Sequence, residues 1–254
     1  MGQVICIANQ KGGSGKTSTA VNLACAFATT RRKVLLVDFD SQANATVALN
    51  MPRAGEDSLA GVLIAGNDPS NIIKTYARGG FDLIPSSEDL TALVVALYDK
   101  YNRNLCLKGY IDTVKYRYDL VIIDCPPNAS LITANAMCAS DFLLIPMQCE
   151  FFSLDSLNVT VELFNTLNQM GDANVMLLGV LRTMYEEHDP LAKEISAALK
   201  NNFGNLLLTT IIPFSPRISE SASLGRPVIL YDKSCQGSIA YLTLAGELLQ
   251  KLQK

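Results

Sequence analysis

Residues 11–17 read Lys11-Gly12-Gly13-Ser14-Gly15-Lys16-Thr17, set between the apolar run Val4-Ile5-Cys6-Ile7-Ala8 and a helical pattern from Thr17 to Thr30. The run is short and apolar throughout, which reads as a strand buried on both faces in a parallel sheet. In the helix, Val21, Leu23, Ala24, Phe27 and Ala28 are expected inward. Strand, loop and helix in that order aim the free N–H groups of a helix N-terminus at whatever the loop holds. Glycines let successive N–H groups curl around phosphate oxygens, because a side chain would block the approach and forbid the φ angles required. Lys16 is placed to reach β- and γ-phosphates, and the Thr17 hydroxyl to ligate Mg²⁺. With Ser18 next in the helix, these residues are the candidate site for ATP or GTP. Gln10 stands where the strict phosphate-loop pattern has glycine; the match is to the variant Lys-Gly-Gly-x-Gly-Lys-Ser/Thr.

Two further apolar runs end in carboxylates. Lys33 to Val37 leads into Asp38-Phe39-Asp40, and Tyr118 to Ile123 leads into Asp124-Cys125-Pro126-Pro127. Ligands of parallel sheets sit beyond the carboxyl ends of the strands, so Asp38, Asp40 and Asp124 are expected to face the phosphate site. Asp124 fits a carboxylate that holds Mg²⁺, usually through water. Strands are also expected at 81–85, 142–146, 175–180 and 206–212, with helices at 88–100, 105–117, 130–138, 153–170, 190–201 and 238–252. Met51 to Asn71 reads as the most loop-like stretch. The expected fold is α/β: a single domain over residues 1–254 with a doubly wound, mostly parallel sheet flanked by helices.

Composition agrees with that class. A chain of 254 residues with 49% hydrophobic content can bury one substantial core. Its seven cysteines show no CxxC pair or regular spacing, which suggests reduced core residues in a cytosolic protein. No signal peptide or membrane-spanning stretch is expected, and Met1-Gly2 lacks the Ser or Thr that myristoylation requires, because that position is Cys6. A net charge of −3 gives no general support for nucleic-acid binding, although a local basic face is compatible with it.

The extra lysine, Lys11, narrows the class. The heptad resembles the deviant-Walker signature of the superfamily that contains ParA/Soj partition proteins, MinD, nitrogenase iron protein and dethiobiotin synthetase. That resemblance implies an ATP-sandwiched homodimer in which Lys11 reaches the partner's nucleotide. A second cation there would offset charge on the leaving group. Asp38 to Thr46 is similar to the partition segment Asp-Leu-Asp-Pro-Gln-Gly-Asn-Ala-Thr, with Ser41 and Ala43 replacing Pro and Gly. The match implies that Asp40 orients the attacking water and that Asp38 supports the Mg²⁺ shell. Ala8-Asn9-Gln10 and the late run Ile212-Pro213-Phe214-Ser215-Pro216-Arg217-Ile218-Ser219-Glu220-Ser221 also resemble the partition branch, and Gly225-Arg226-Pro227-Val228 continues the match.

By that resemblance Pro213 and Ser215 lie beside the adenine and Arg217 contacts DNA without sequence preference. Catalytic roles fall to Lys11, Lys16 and Asp40. The implied partners are a second copy of the chain, nonspecific double-stranded DNA and a ParB-like centromere-binding protein that stimulates a weak ATPase. The implied location is the cytoplasm, on the nucleoid, with no membrane partner. Ser215 replaces the family's Asn, which implies weaker adenine or ribose contacts; His188 stands among carboxylates where relatives carry a second DNA-contacting Arg, so DNA binding weaker and more salt-sensitive than the family norm is expected unless lysines such as Lys193, Lys200 or Lys233 take over. A MinD-like membrane switch would need the amphipathic stretch 241–254 to expose a bulky apolar face, and that stretch is expected to pack on the domain instead. Leu131 stands where an iron-protein cluster would need cysteine, and nothing suggests the small-molecule pocket of a dethiobiotin-synthetase-like ligase.

Overall fold

The computed structural model describes residues 2–55, 57–66, 69–128 and 130–253. Met1, the first residue of the dismissed myristoylation motif, and Lys254, the last of the terminal amphipathic stretch, lie outside the described residues. In chain order the elements are β1 (Gln3–Ile7), α1 (Lys16–Thr29), β2 (Val34–Asp38), α2 (Asn44–Ala48), α3 (Leu59–Ala65), β3 (Lys74–Tyr76), β4 (Phe81–Ile84), α4 (Leu90–Leu97) and α5 (Cys106–Val114). They continue with β5 (Leu120–Asp124), α6 (Leu131–Cys138), β6 (Phe142–Gln148), α7 (Ser153–Met170), β7 (Met176–Tyr185), α8 (Pro190–Phe203), β8 (Leu207–Pro213), α9 (Pro216–Ser223), α10 (Val228–Tyr231) and α11 (Gln236–Leu252).

The strands form one eight-stranded sheet in the order β3-β4-β2-β5-β1-β6-β7-β8. All pairs are parallel except β3 with β4, an antiparallel edge in which Tyr76 faces Phe81. Side chains of β1 alternate between the two faces: Val4 and Cys6 pack under α4 to α8, whereas Ile5 and Ile7 pack under α1 and α11. Burial on both faces is the physical reason that the strands read as continuous apolar runs.

Helix α1 departs from the simple one-faced expectation. It is buried from Thr19 through Phe27 because α11 covers it from outside the sheet, whereas Ala28, expected inward, is only half-buried. The terminal helix does pack on the domain, burying Tyr241, Leu244, Ala245, Leu248 and Leu252.

The stretch read as loop-like, 51–71, contains α3 and a short 3₁₀ turn at Pro69–Asn71. The Ser58 hydroxyl accepts from the Gly61 amide at 3.0 Å to cap α3, and Gly66 closes it at φ +70°. Glu56, Asn67 and Asp68 of that stretch lie outside the described residues.

Candidate functional site

The loop between β1 and α1 is held from both sides before any ligand is considered. Asn9 is buried; its Nδ2 donates to the Pro146 carbonyl on β6 at 2.7 Å, and its Oδ1 accepts from the Lys11 amide at 3.1 Å. The Thr183 hydroxyl on β7 donates to the Ser14 carbonyl at 2.8 Å. Gly13 and Gly15 take φ values of +74° and +86°, where L side chains are disfavoured, and an added Cβ on Gly12 would meet nothing within 4 Å. The loop thus encloses open space rather than packed side chains.

That space is a hollow of about 300 Å³ lined by Gly12 to Ser18 together with Asp40, Asn44, Pro127 and Met184. Lys16 is 6% exposed, and its ammonium donates to the Lys11 carbonyl at 3.0 Å across the loop. Burial pulls its pKa down, and the charges of Asp124, Cys125 and Asp40 partly restore it. A buried cation held over an open, N–H-lined cavity suits a polyanionic ligand.

The three aspartates gather at the carboxyl ends of adjacent strands, with Asp38 and Asp124 in register across β2 and β5. Asp38 is fully buried and already engaged. Its Oδ2 accepts from the Thr46 amide at 2.8 Å and the Thr46 hydroxyl at 2.7 Å, and its Oδ1 accepts from the Asp40 amide at 3.3 Å. Burial lifts its pKa to about 6 against those hydrogen bonds. Asp40 accepts from the Gln42 amide at 3.0 Å, and its carbonyl accepts from the Ser86 hydroxyl at 2.7 Å, so the loop after β2 is tied to the end of β4.

Asp124 differs. It is wholly buried, and neither carboxylate oxygen has a hydrogen-bond partner of good geometry among the described residues. Burial and the neighbouring Asp38 push its pKa well up, and the Thr17 hydroxyl and Lys16 pull the other way. An unpaired buried carboxylate is costly unless a cation meets it, and the Thr17 hydroxyl beside it supplies a second oxygen ligand. Among the described residues no three His, Cys, Asp or Glu side chains converge on a metal position. The donor set therefore fits Mg²⁺ shared with phosphate oxygens and water rather than an all-protein cage.

The later candidates sit apart. Pro213 ends β8 opposite Tyr185 of β7, and Ser215 is the N-cap residue of α9 without a side-chain cap bond. Neither lines the hollow, and β8 stands three strands from β1, roughly 14 Å at ordinary strand spacing. Arg217 is exposed and bonds Glu220 at 2.8 Å, with Asp232 at 3.8 Å and the Tyr231 ring beneath it. His188 is exposed, as a solvated side chain would be.

Four contacts escaped the sequence reading: Glu150 and Ser153, which hold the Lys11 ammonium, Thr183, which holds the Ser14 carbonyl, and Met184, which lines the hollow. Glu150 and Ser153 follow β6, the neighbour of β1, so the rule that sites lie beyond strand ends could have flagged them. Asn22, also missed, is buried in α1. It donates to the Ser18 carbonyl at 2.8 Å and accepts from the Val228 amide at 2.7 Å, linking the helix behind the loop to α10.

Comparison with known proteins agrees with this geometry. The sequence profile of a family described as an AAA domain matches residues 2–177. The chain is 38% identical over 249 residues to the sporulation initiation inhibitor protein Soj of Bacillus subtilis, covering 98% of both chains. It is 35% identical over 253 residues to the chromosome partitioning protein ParA of Caulobacter vibrioides, covering 98% of this chain and 94% of that one. Among solved structures, the septum site-determining protein MinD of Pyrococcus horikoshii, complexed with Mg-ADP, superposes with a TM-score of 0.79 at 27% identity, covering 100% of this chain and 98% of that one. A phosphate loop with a second lysine, three strand-end aspartates and full-length similarity to Soj and ParA lead to one assignment: the chain belongs to the ParA/Soj partition ATPases of the ParA/MinD superfamily.

Proposed function

We propose that this chain is a DNA-partitioning ATPase that binds Mg-ATP in the loop hollow, pairs with a second copy around the nucleotide, holds duplex DNA nonspecifically as the pair, and lets go after hydrolysis. The observation that carries the nucleotide reading is the buried, unpartnered Asp124 carboxylate beside Thr17 and Lys16. In this reading the amides from Gly12 to Ser18 and the Lys16 ammonium bind and orient the phosphates, and Thr17 and Asp124 hold Mg²⁺ with Asp38 behind them. Asp40, 4% exposed at the hollow's wall, positions the attacking water. Lys11 serves the partner's site, and Pro213 and Ser215 border the base. When bound, Mg²⁺ supplies charge neutralisation at the phosphate undergoing attack.

Arg217 is the proposed DNA contact, which requires it to exchange Glu220 for a phosphate. A ParB-like partner is proposed to stimulate a slow basal turnover, with the protein on the nucleoid in the cytoplasm. Among the described residues no helix is long and apolar enough to cross a membrane, and the buried face of α11 gives no support to a MinD-like membrane anchor.

The test is fluorescence anisotropy of a labelled random-sequence duplex with ATP or ADP. A rise in affinity with ATP that Arg217→Glu removes is expected; affinity equal in the two nucleotide states would overturn the switch.

A further inference from the structure

Two adjacent phenylalanines stand in solvent beside the phosphate loop. Phe151 and Phe152 are 66% and 74% exposed, and their rings meet edge to face with centroids 5.5 Å apart. They occupy the middle of the turn from Glu150 to Ser153 that joins β6 to α7. The outer residues of that turn are the two that hold the Lys11 ammonium, so the aromatic pair adjoins the loop. The turn is ordered by its own hydrogen bonds: the Ser153 amide donates to the Glu150 carbonyl at 3.0 Å, and the Leu154 amide to the Phe151 carbonyl at 3.3 Å. Cys149 before it and Leu157 after it are anchored in the core. Rings presented on an anchored turn lose little freedom when something covers them.

Charge and area together identify the covering surface. Lys11 and Glu150 neutralise one another, and Asp155 in the first turn of α7 leaves the surroundings weakly acidic. An anionic lipid surface would need basic flanks around the rings and is repelled by such a rim. A second copy meets almost no like charge, and two-fold pairing sets the same patch against itself. With about 150–250 Å² available per aromatic side chain, the four rings of two copies would bury roughly 550 Å² at these exposures. That is about half of the roughly 1,200 Å² at which stable interfaces begin. Such a contact is too small to hold two copies alone, and it strengthens a pairing that other contacts complete.

We propose that Phe151 and Phe152 dock against the same two residues of a second copy, forming an apolar contact that holds only when nucleotide completes the rest of the interface. This names the protein–protein part of the pairing proposed above and rests on that reading. Because the rings and the clamp on Lys11 share one turn of four residues, docking of the rings also shifts Glu150 and Ser153. The aromatic contact is thereby coupled to release of the Lys11 ammonium toward the facing nucleotide.

The test is sedimentation velocity with Mg-ATP or ADP, using wild type and Phe151→Ser/Phe152→Ser. Thermal melts verify folding, and the rise in Tm on adding Mg-ATP verifies nucleotide binding. Wild type is expected to dimerise with Mg-ATP. The double variant should fold, bind Mg-ATP as wild type does, and dimerise at least about a hundredfold more weakly. In a second measurement, Phe152→p-benzoylphenylalanine should photo-cross-link to the 150–153 turn of another copy with Mg-ATP and not with ADP. A folded, nucleotide-binding double variant that dimerises within about threefold of wild type overturns the proposal. So does a dimer whose cross-links map elsewhere, or ring-dependent co-sedimentation with phosphatidylserine vesicles while dimerisation is untouched. Wild type that binds Mg-ATP yet stays monomeric sinks the pairing reading itself, an outcome read without the variants.

Discussion

The ammonium of Lys11 is held by its own chain: it donates to the Glu150 carboxylate and, at 2.9 Å, to the Ser153 hydroxyl. A lysine that serves a partner's nucleotide must first leave these contacts. The pair is partly solvated, with Lys11 at 23% and Glu150 at 57% side-chain exposure, so the hold is worth at most about 1 kcal/mol. Glu150→Gln is therefore expected to increase the ATP-dependent dimer population up to about fivefold. Analytical ultracentrifugation with ATP reads this directly; a weaker dimer would assign Glu150 to the interface instead.

Gly12 and Gly15 should respond differently to a side chain. Nothing within 4 Å opposes a Cβ at Gly12, so Gly12→Val should fold within about 0.5 kcal/mol of wild type and bind nucleotide. On the proposed pairing around the nucleotide it should nevertheless lose the dimer, because the new side chain would crowd the facing copy. Gly15→Ala meets Thr183 at 3.4 Å with φ at +86°, and should cost stability by about 1–2 kcal/mol. Thermal melts and size-exclusion chromatography separate the two cases.

Asp124 should show a trade between stability and function. Removing its unpaired charge in Asp124→Asn is expected to stabilise the nucleotide-free protein by about 1–3 kcal/mol. The same change should abolish most of the additional stabilisation that Mg-ATP confers on wild type. Urea denaturation with and without Mg-ATP measures both quantities, and a destabilised nucleotide-free variant would contradict the first.

Glu247 on α11 gives a pH signature unconnected with the nucleotide. Burial pushes its carboxyl up, but the Thr210 hydroxyl and the Thr209 and Thr210 amides outweigh it, so its pKa lies below 4.5. A carboxyl lowered on folding contributes stability above its unfolded pKa, and that contribution disappears as the pH falls through the folded value. Glu247→Gln should cost about 1–2 kcal/mol at pH 7 and progressively less below pH 4. Melts across that range test the convergence of the two curves.

The phosphate loop, the strand-end aspartates and seven of the helices are legible because each rests on a local pattern: apolar runs, glycine spacing or helical periodicity. Helix α7 was read at its observed bounds, Ser153–Met170. What escaped has little local pattern. Helices α2 and α10 span five and four residues, and β3 three, too short for a period to emerge. Helix α3 is hidden although Ser58 and Gly66 cap it, because its seven residues make barely two turns within a stretch that reads as loop. Ala43, noted only as a departure from glycine, sits at φ +55°, a strain of about 1 kcal/mol that one-dimensional reading cannot see. The grip of Glu150 on Lys11 joins residues 139 positions apart, and only the sheet order brings them together.

Asn22 gives the molecule a mechanical linkage. Its carboxamide spans from the second turn of the helix that begins under the phosphates to the amide that starts α10, and the Tyr231 ring of α10 supports Arg217. One side chain and a four-residue helix thus join the helix that follows the phosphate loop to the aromatic support of the guanidinium proposed to meet DNA.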